Sequence, residues 1–171
     1  MTINRRSHRN AAIAGLLSCL AACGSVSALA APGDMEAITK ASDLDHDPID
    51  AAAVRTVCTA CHSASQFLTA PRPYLRWQQT MQDMLDRGAV ATDEQLDRIL
   101  SYVVKNLTIV NVNTSPSDQL AYTLQIPGSV ADEIVAKRAA KPFVGIEDLA
   151  SVQGVNGHVI EMLKAKGLLK F

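Results

Sequence analysis

The sequence predicts an all-α fold in two units: a three-helix unit over residues 49–107 and a pair of helix–turn–helix hairpins over 111–171. Three observations carry this. Apolar residues recur at helical spacing: Trp77, Met81, Met84, Leu85 and Gly88 form one stripe, and Leu96, Ile99, Leu100, Val103, Val104 and Leu107 another. Thr92-Asp93-Glu94-Gln95 has the form of a capping box, a helix start. From Ser115 onward the chain nearly repeats itself: helix, tight turn, helix, twice over. The chain has 171 residues, 48% of them hydrophobic, and a mean hydropathy of +0.09, which is the composition of a globular protein. A formal net charge of −1 supplies no bulk field for nucleic acid.

Taken in order, residues 1–30 read as an export signal. Arg5, Arg6 and Arg9 supply the basic start, and 11–22 is an apolar stretch of small residues, too short for a membrane span. Two endings compete. Ala28-Leu29-Ala30 places cleavage before Ala31. Leu20-Ala21-Ala22-Cys23 has the form of a lipobox, which makes Cys23 a lipid anchor and the membrane a partner. Either ending sends the mature chain to the periplasm. Cys19 is discarded by both, so Cys58 and Cys61 are the two thiols the mature chain keeps in either case. Residues 31–48 are rich in Asp and poor in apolar periodicity, and read as an acidic linker. Asp43-x-Asp45-x-Asp47 starts like a calcium loop, but Pro48 and Val54 stand where that loop needs Gly and Glu.

Asp50 is the expected N-cap of a helix that runs into Cys58-Thr59-Ala60-Cys61-His62. This C-x-x-C-H is the attachment signal of a c-type haem. Two thiols add across the porphyrin vinyl groups, and the following histidine is set to ligate the iron. A redox dithiol needs a βαβ context, and a zinc site needs two further Cys or His at ligand spacing. Neither accompanies the motif. Residues 63–72 read as a loop. Pro73 starts and Gly88 stops the next helix, and the capping box at Thr92 starts the third. With so few aromatics, this unit has a poor core of its own, and a buried haem fills it. In the second unit Ser115 is the expected cap, with Pro116 at the first helical position. Its expected core is Leu120, Leu124, Ile126, Val130, Ile134, Phe143, Ile146, Leu149, Val152, Val155, Ile160 and Leu163.

The first unit resembles small c-type cytochrome domains of proteobacterial quinohaemoprotein and related dehydrogenase systems. The resemblance rests on C-x-x-C-H, Arg72, Trp77, Met84 followed by Arg87-Gly88-Ala89, and Tyr102. It implies one covalent haem c on Cys58 and Cys61, His62 as proximal ligand and Met84 as distal ligand. Met81, one turn earlier on the same face, is the alternative. Arg72 and Trp77 are the expected pocket residues, Arg72 pairing with a propionate and the Trp77 indole N–H reaching another. His46 is a further conceivable ligand. The implied function is electron transfer with a periplasmic redox partner, not catalysis: a haem peroxidase needs a distal acid or base that the sequence does not offer.

The second unit resembles the tandem helix-hairpin-helix domain of bacterial competence DNA receptors. The matching residues are Val110-Asn111-Val112-Asn113-Thr114, Ala136-Lys137-Arg138, Pro142-Phe143 and Glu147-Asp148-Leu149. That family's hairpins read Gly-hydrophobic-Gly, so that backbone N–H groups approach a phosphate. Here the first reads Gln125-Ile126-Pro127, and Pro127 has no N–H. The second reads Gly154-Val155-Asn156. From residue 108 on, six basic residues face six acidic ones, where a phosphate-binding domain is basic. The expectation is a docking, spacing or covering module, with DNA binding as the rival. From 32 to 107, seven basic residues stand against eleven acidic ones, a net of −4 that favours a basic redox partner.

Overall fold

The computed structural model describes residues 32–42 and 46–171. The expected export signal with Cys19 and Cys23, and Asp43 and Asp45 of the acidic run, lie outside the described residues. Among the described residues no helix is long and apolar enough to cross a membrane.

The first described element corrects the reading of 31–48 as a linker. Residues Pro32–Ala41 form helix α1, and it belongs to the core. Ile38 is fully buried, and its carbonyl accepts a 2.6 Å hydrogen bond from the Tyr102 hydroxyl. The segment carries too few apolar residues to show a stripe, but one buried isoleucine and a buried Asp34 suffice to dock it. Helix α2, Pro48–Cys58, begins before the expected cap. Pro48 sets the first helical φ, and Asp47 caps the amides of Ile49 and Asp50. The Ile49 amide foremost, with the Asp50 amide and the Arg98 charge, holds the Asp47 carboxyl below its ordinary pKa. Asp50 is instead buried inside the helix, 3.4 Å from Arg98 Nη1.

Part of the expected loop after His62 is a short helix, α3, Ser65–Leu68, whose Phe67 is buried. Helices α4, Tyr74–Asp86, and α5, Asp93–Leu107, follow the expected bounds closely. Both halves of the Thr92–Gln95 capping box are present. Helix α4 ends in a Schellman motif: the Gly88 amide donates to Leu85 and the Ala89 amide to Met84, both at 2.9 Å, with Gly88 at φ +96°. Together α1, α2, α4 and α5 enclose one apolar cluster around Val54, Trp77, Ile99 and Tyr102.

The second unit starts at strand β1, Val110–Asn111, then α6, Ser117–Leu124, α7, Gly128–Ala140, α8, Ile146–Ala150, α9, Gly157–Ala165, and strand β2, Leu169–Lys170. The strands pair in parallel, Val110 with Leu169. That pair was not foreseen, and it adds Val110, Val112, Leu168 and Leu169 to the core. Of the expected core, ten residues are buried, and Val130 and Val155 are partly so. Ser115 does not cap α6. Its hydroxyl accepts from the Asn111 amide, and Pro116 takes the cap position.

The hairpins keep their turns by different means. Gln125 sits at φ +54°, ψ +47°, the left-handed conformation a glycine adopts at little cost. Gly154, at φ +92°, is needed for packing: a Cβ there would stand 2.9 Å from Val130 Cγ2. Other family-like residues bind the scaffold to itself. Asn113 exchanges two 2.8 Å hydrogen bonds with the backbone of Phe143. Arg138 Nη1 donates at 2.7 Å to the carbonyls of both Val112 and Ser115.

Candidate haem pocket

Helix α2 ends on Cys58, and a turn carries the chain through Cys61 to His62. The two cysteines are free thiols, Cys58 half-buried and Cys61 exposed. Burial pushes the Cys58 thiol up to about 11. A redox dithiol has the opposite setting, a helix N-terminus that lowers the thiol pKa. Cys58 lies at a helix C-terminus, where the dipole disfavours a thiolate. Nor do other ligands complete a zinc set: among the described residues no group of three or more Cys, His, Asp or Glu converges.

The motif instead borders a cavity of about 380 Å³ between α2, α4 and α5. That lies within the roughly 300–1,000 Å³ usual for cofactor sites. Cys58, Cys61 and His62 form one wall, and Trp77, Met81, Met84 and Leu85 of α4 another. Leu96, Ile99 and Val103 of α5 form the floor. Seven of the residues named from the sequence line one cavity: Cys58, Cys61, His62, Arg72, Trp77, Met84 and Met81. His46 does not line it; it lies on the surface, its Nδ1 3.1 Å from Ser42 Oγ.

The polar groups are placed selectively. His62 Nδ1 lies 3.3 Å from the Ser63 carbonyl, and the ring meets Phe67 edge-on at 6.2 Å. A proton on Nδ1 shared with that carbonyl leaves the Nε2 lone pair free for a metal. Arg72 stacks on Trp77, its Cζ 4.8 Å from the ring centroid. Arg72 Nη1 is buried with no hydrogen-bond partner. A buried cationic donor of this kind calls for an anion. Arg87 also lines the cavity, and among the described residues no carboxylate does. The set fits a haem: an apolar slot, a soft thioether, a free imidazole nitrogen, and two guanidinium groups in the lining that would offset carboxylate charge.

One expectation changes. The Trp77 indole N–H donates to the Leu107 carbonyl at 3.3 Å, so Trp77 is a wall and not a propionate donor. Trp77→Phe keeps an aromatic ring but deletes that donor and part of a buried side chain; a denaturant titration should show a loss of about 1–3 kcal/mol. Sequence reasoning missed Arg87 as a pocket residue, although it stands three residues beyond Met84. It also missed Phe67, which was hidden in a segment without helical periodicity. The Arg87-Gly88-Ala89 run has a physical reason: Ala89 holds the Met84 carbonyl and fixes where that side chain starts.

Residues 105–166 match a family model described as helix-hairpin-helix motif. No curated protein and no solved structure matches the chain. The matched segment spans the end of α5 through α9, and the C-terminal unit carries a helix-hairpin-helix domain.

Proposed function

We propose that this chain is a periplasmic monohaem c-type cytochrome that carries electrons, with a helix-hairpin-helix module as a docking or covering domain. The observation that carries the reading is the cavity bordered by C-x-x-C-H on one side and Met84 on the other. Cys58 and Cys61 would hold the haem through thioethers, His62 through Nε2, and Met84 through its sulfur. When bound, the haem supplies a one-electron ferric/ferrous couple, with a potential raised by histidine–methionine ligation. The residues of the chain do the rest. Leu96, Ile99 and Val103 exclude water from the slot, and Arg72 and Arg87 offset carboxylate charge. Among the described residues, the cavity lining carries no histidine besides His62 and no carboxylate, which favours an electron carrier over acid–base peroxide chemistry. The electron partner on this reading is a periplasmic dehydrogenase or a terminal acceptor. A pyridine haemochrome spectrum tests the haem. Inert behaviour of the ferrous protein toward carbon monoxide is the expected sign of a six-coordinate carrier; rapid binding would point to an open iron and a haem enzyme.

A second reading is nucleic-acid binding, and the helix-hairpin-helix match supports it where it does not support electron transfer. Helix α7 begins at Gly128 with no side-chain cap, so its first amides remain available to a phosphate. Against this, Pro127 lacks an N–H, and the Ile126 amide donates to Ala121. In the second hairpin Asn156 caps α9 through the His158 amide. The full chain titrated with duplex DNA at low salt should show no micromolar binding. Pro127→Gly, which restores a donor, should be the variant that gains any. Micromolar binding by the wild type that weakens steeply with salt would establish the second reading.

A further inference from the structure

Helix α3 carries Phe67, the ring against His62, yet it is poorly supported by its own sequence. It spans Ser65–Leu68, and its N-cap residue is Ala64, which has no side-chain oxygen to offer. The missing acceptor comes from 30 residues upstream. Asp34 Oδ1 of α1 accepts a 2.9 Å hydrogen bond from the Ala64 amide, and this contact is buried. Asp34 is 7% exposed and Ala64 fully buried. A carboxylate on a helix-starting amide is a charge-assisted bond, stronger than a neutral one. Ala64 is two residues beyond His62, and the Ser63 carbonyl between them faces His62 Nδ1. The same carbonyl accepts from the Gln66 amide of α3. Anything that anchors Ala64 therefore fixes both the carbonyl and the ring that orient the imidazole.

Helix α1 has anchors of its own. The Ile38 carbonyl takes the Tyr102 hydroxyl from α5, and the Ala41 carbonyl takes Lys166 Nζ at 2.9 Å. Both hold α1 against elements that do not touch the loop through Asp34. We infer that α1 is a clamp on the iron-ligand loop, and that Asp34 is a positioning residue for His62. This rests on the haem reading of the same pocket.

The test uses the full, haem-bearing chain with Asp34→Ala and Asp34→Asn. The readouts are the reduction potential and the ferric electron paramagnetic resonance g-values, which respond to the orientation of the axial imidazole. Asp34→Ala should shift both, and Asp34→Asn, which keeps an acceptor oxygen, should restore most of the shift. Wild-type potential and g-values in Asp34→Ala, even with a lowered melting temperature, would reduce Asp34 to a fold-stabilising residue and overturn the inference. If Asp34→Ala does not accumulate, Asp34→Glu carries the comparison, since its carboxylate is displaced by one methylene. Unchanged g-values there overturn the inference equally. A wild-type chain without covalent haem removes both the haem reading and this inference. A haem-bearing wild type with an indifferent Asp34 removes the inference alone.

Discussion

Serine at both Cys58 and Cys61 should give a chain that holds no haem after acid–acetone extraction, while the wild type keeps its colour. The single thiols are not equivalent in setting. Cys58 packs against the apolar cluster and is held neutral by burial; Cys61 is exposed at the cavity mouth. The stability effect should be as large as the spectroscopic one. A cavity of about 380 Å³ has to be filled, collapsed or wetted. At about 24 cal/mol per Å³, leaving such a space dry and empty costs up to about 9 kcal/mol. That is comparable to the whole stability of a small domain, roughly 5–15 kcal/mol. The open mouth lets water share the burden, so the double variant should be a weakened protein, not merely a colourless one. Thermal unfolding followed by circular dichroism is the check. Retention of colour by the double serine variant would sink the haem reading.

Met84→Ala and Met81→Ala should part company. Both side chains line the cavity. Met81 is also packed against the apolar cluster, and Met84 is not among the residues packed there. A core methionine is committed by its contacts; a cavity methionine with its backbone pinned by the Schellman turn is available to a metal. Met84→Ala should therefore abolish the weak near-infrared sulfur-to-iron band and lower the reduction potential, with little loss of stability. Met81→Ala should keep the band and lose about 2 kcal/mol, near the low end for truncating a buried methionine. The opposite pattern would transfer the distal ligand to Met81.

What the sequence made legible follows the strength of local signals. The stripes of α4 and α5 and the Thr92–Gln95 box each state a helix by themselves, and both helices lie within a residue or so of their expected ends. That Cys58, Cys61, His62, Trp77, Met81 and Met84 share one cavity was readable because a fixed C-x-x-C-H motif and a helical stripe with Trp77 each leave a local signal. Contacts between distant segments were not readable. Helix α1 is held by Ile38, Asp34 and backbone carbonyls, none of which makes a period. The β1–β2 pair is two residues long on each side, below the length at which alternation shows. Asp50 looked like a cap because capping residues recur there; Pro48 moved the start and left Asp50 to meet Arg98. The missing hairpin glycine was legible as a loss of close backbone approach, but that Gln125 would still hold the left-handed turn was not. The glycine's absence marks a loss of close approach, not of shape.

The seam between the units has a consequence for the order of folding. The Leu107 carbonyl accepts from both the Arg72 amide and the Trp77 indole, and the Ile109 amide returns a bond to Arg72. One residue further on, Val110 and Val112 donate to Leu168 and Lys170. The stretch from 107 to 112 is thus claimed on one side by Arg72 and Trp77 of the cavity wall and on the other by residues 168–170. Lys166 adds a bond to Ala41 across 125 positions. Such distant partners meet only after long loops close, which is slow compared with the winding of helices. Helices α4 and α5 can form early, but the strand that leaves them has no partner until residues 168–170 reach it. A chain stopped before Leu168 should leave 109–112 open to hydrogen exchange and expose an apolar edge beside Trp77. Residues 168–170 therefore act as a latch that closes after the helices have wound, and substitutions there should be felt at the Trp77 wall of the cavity.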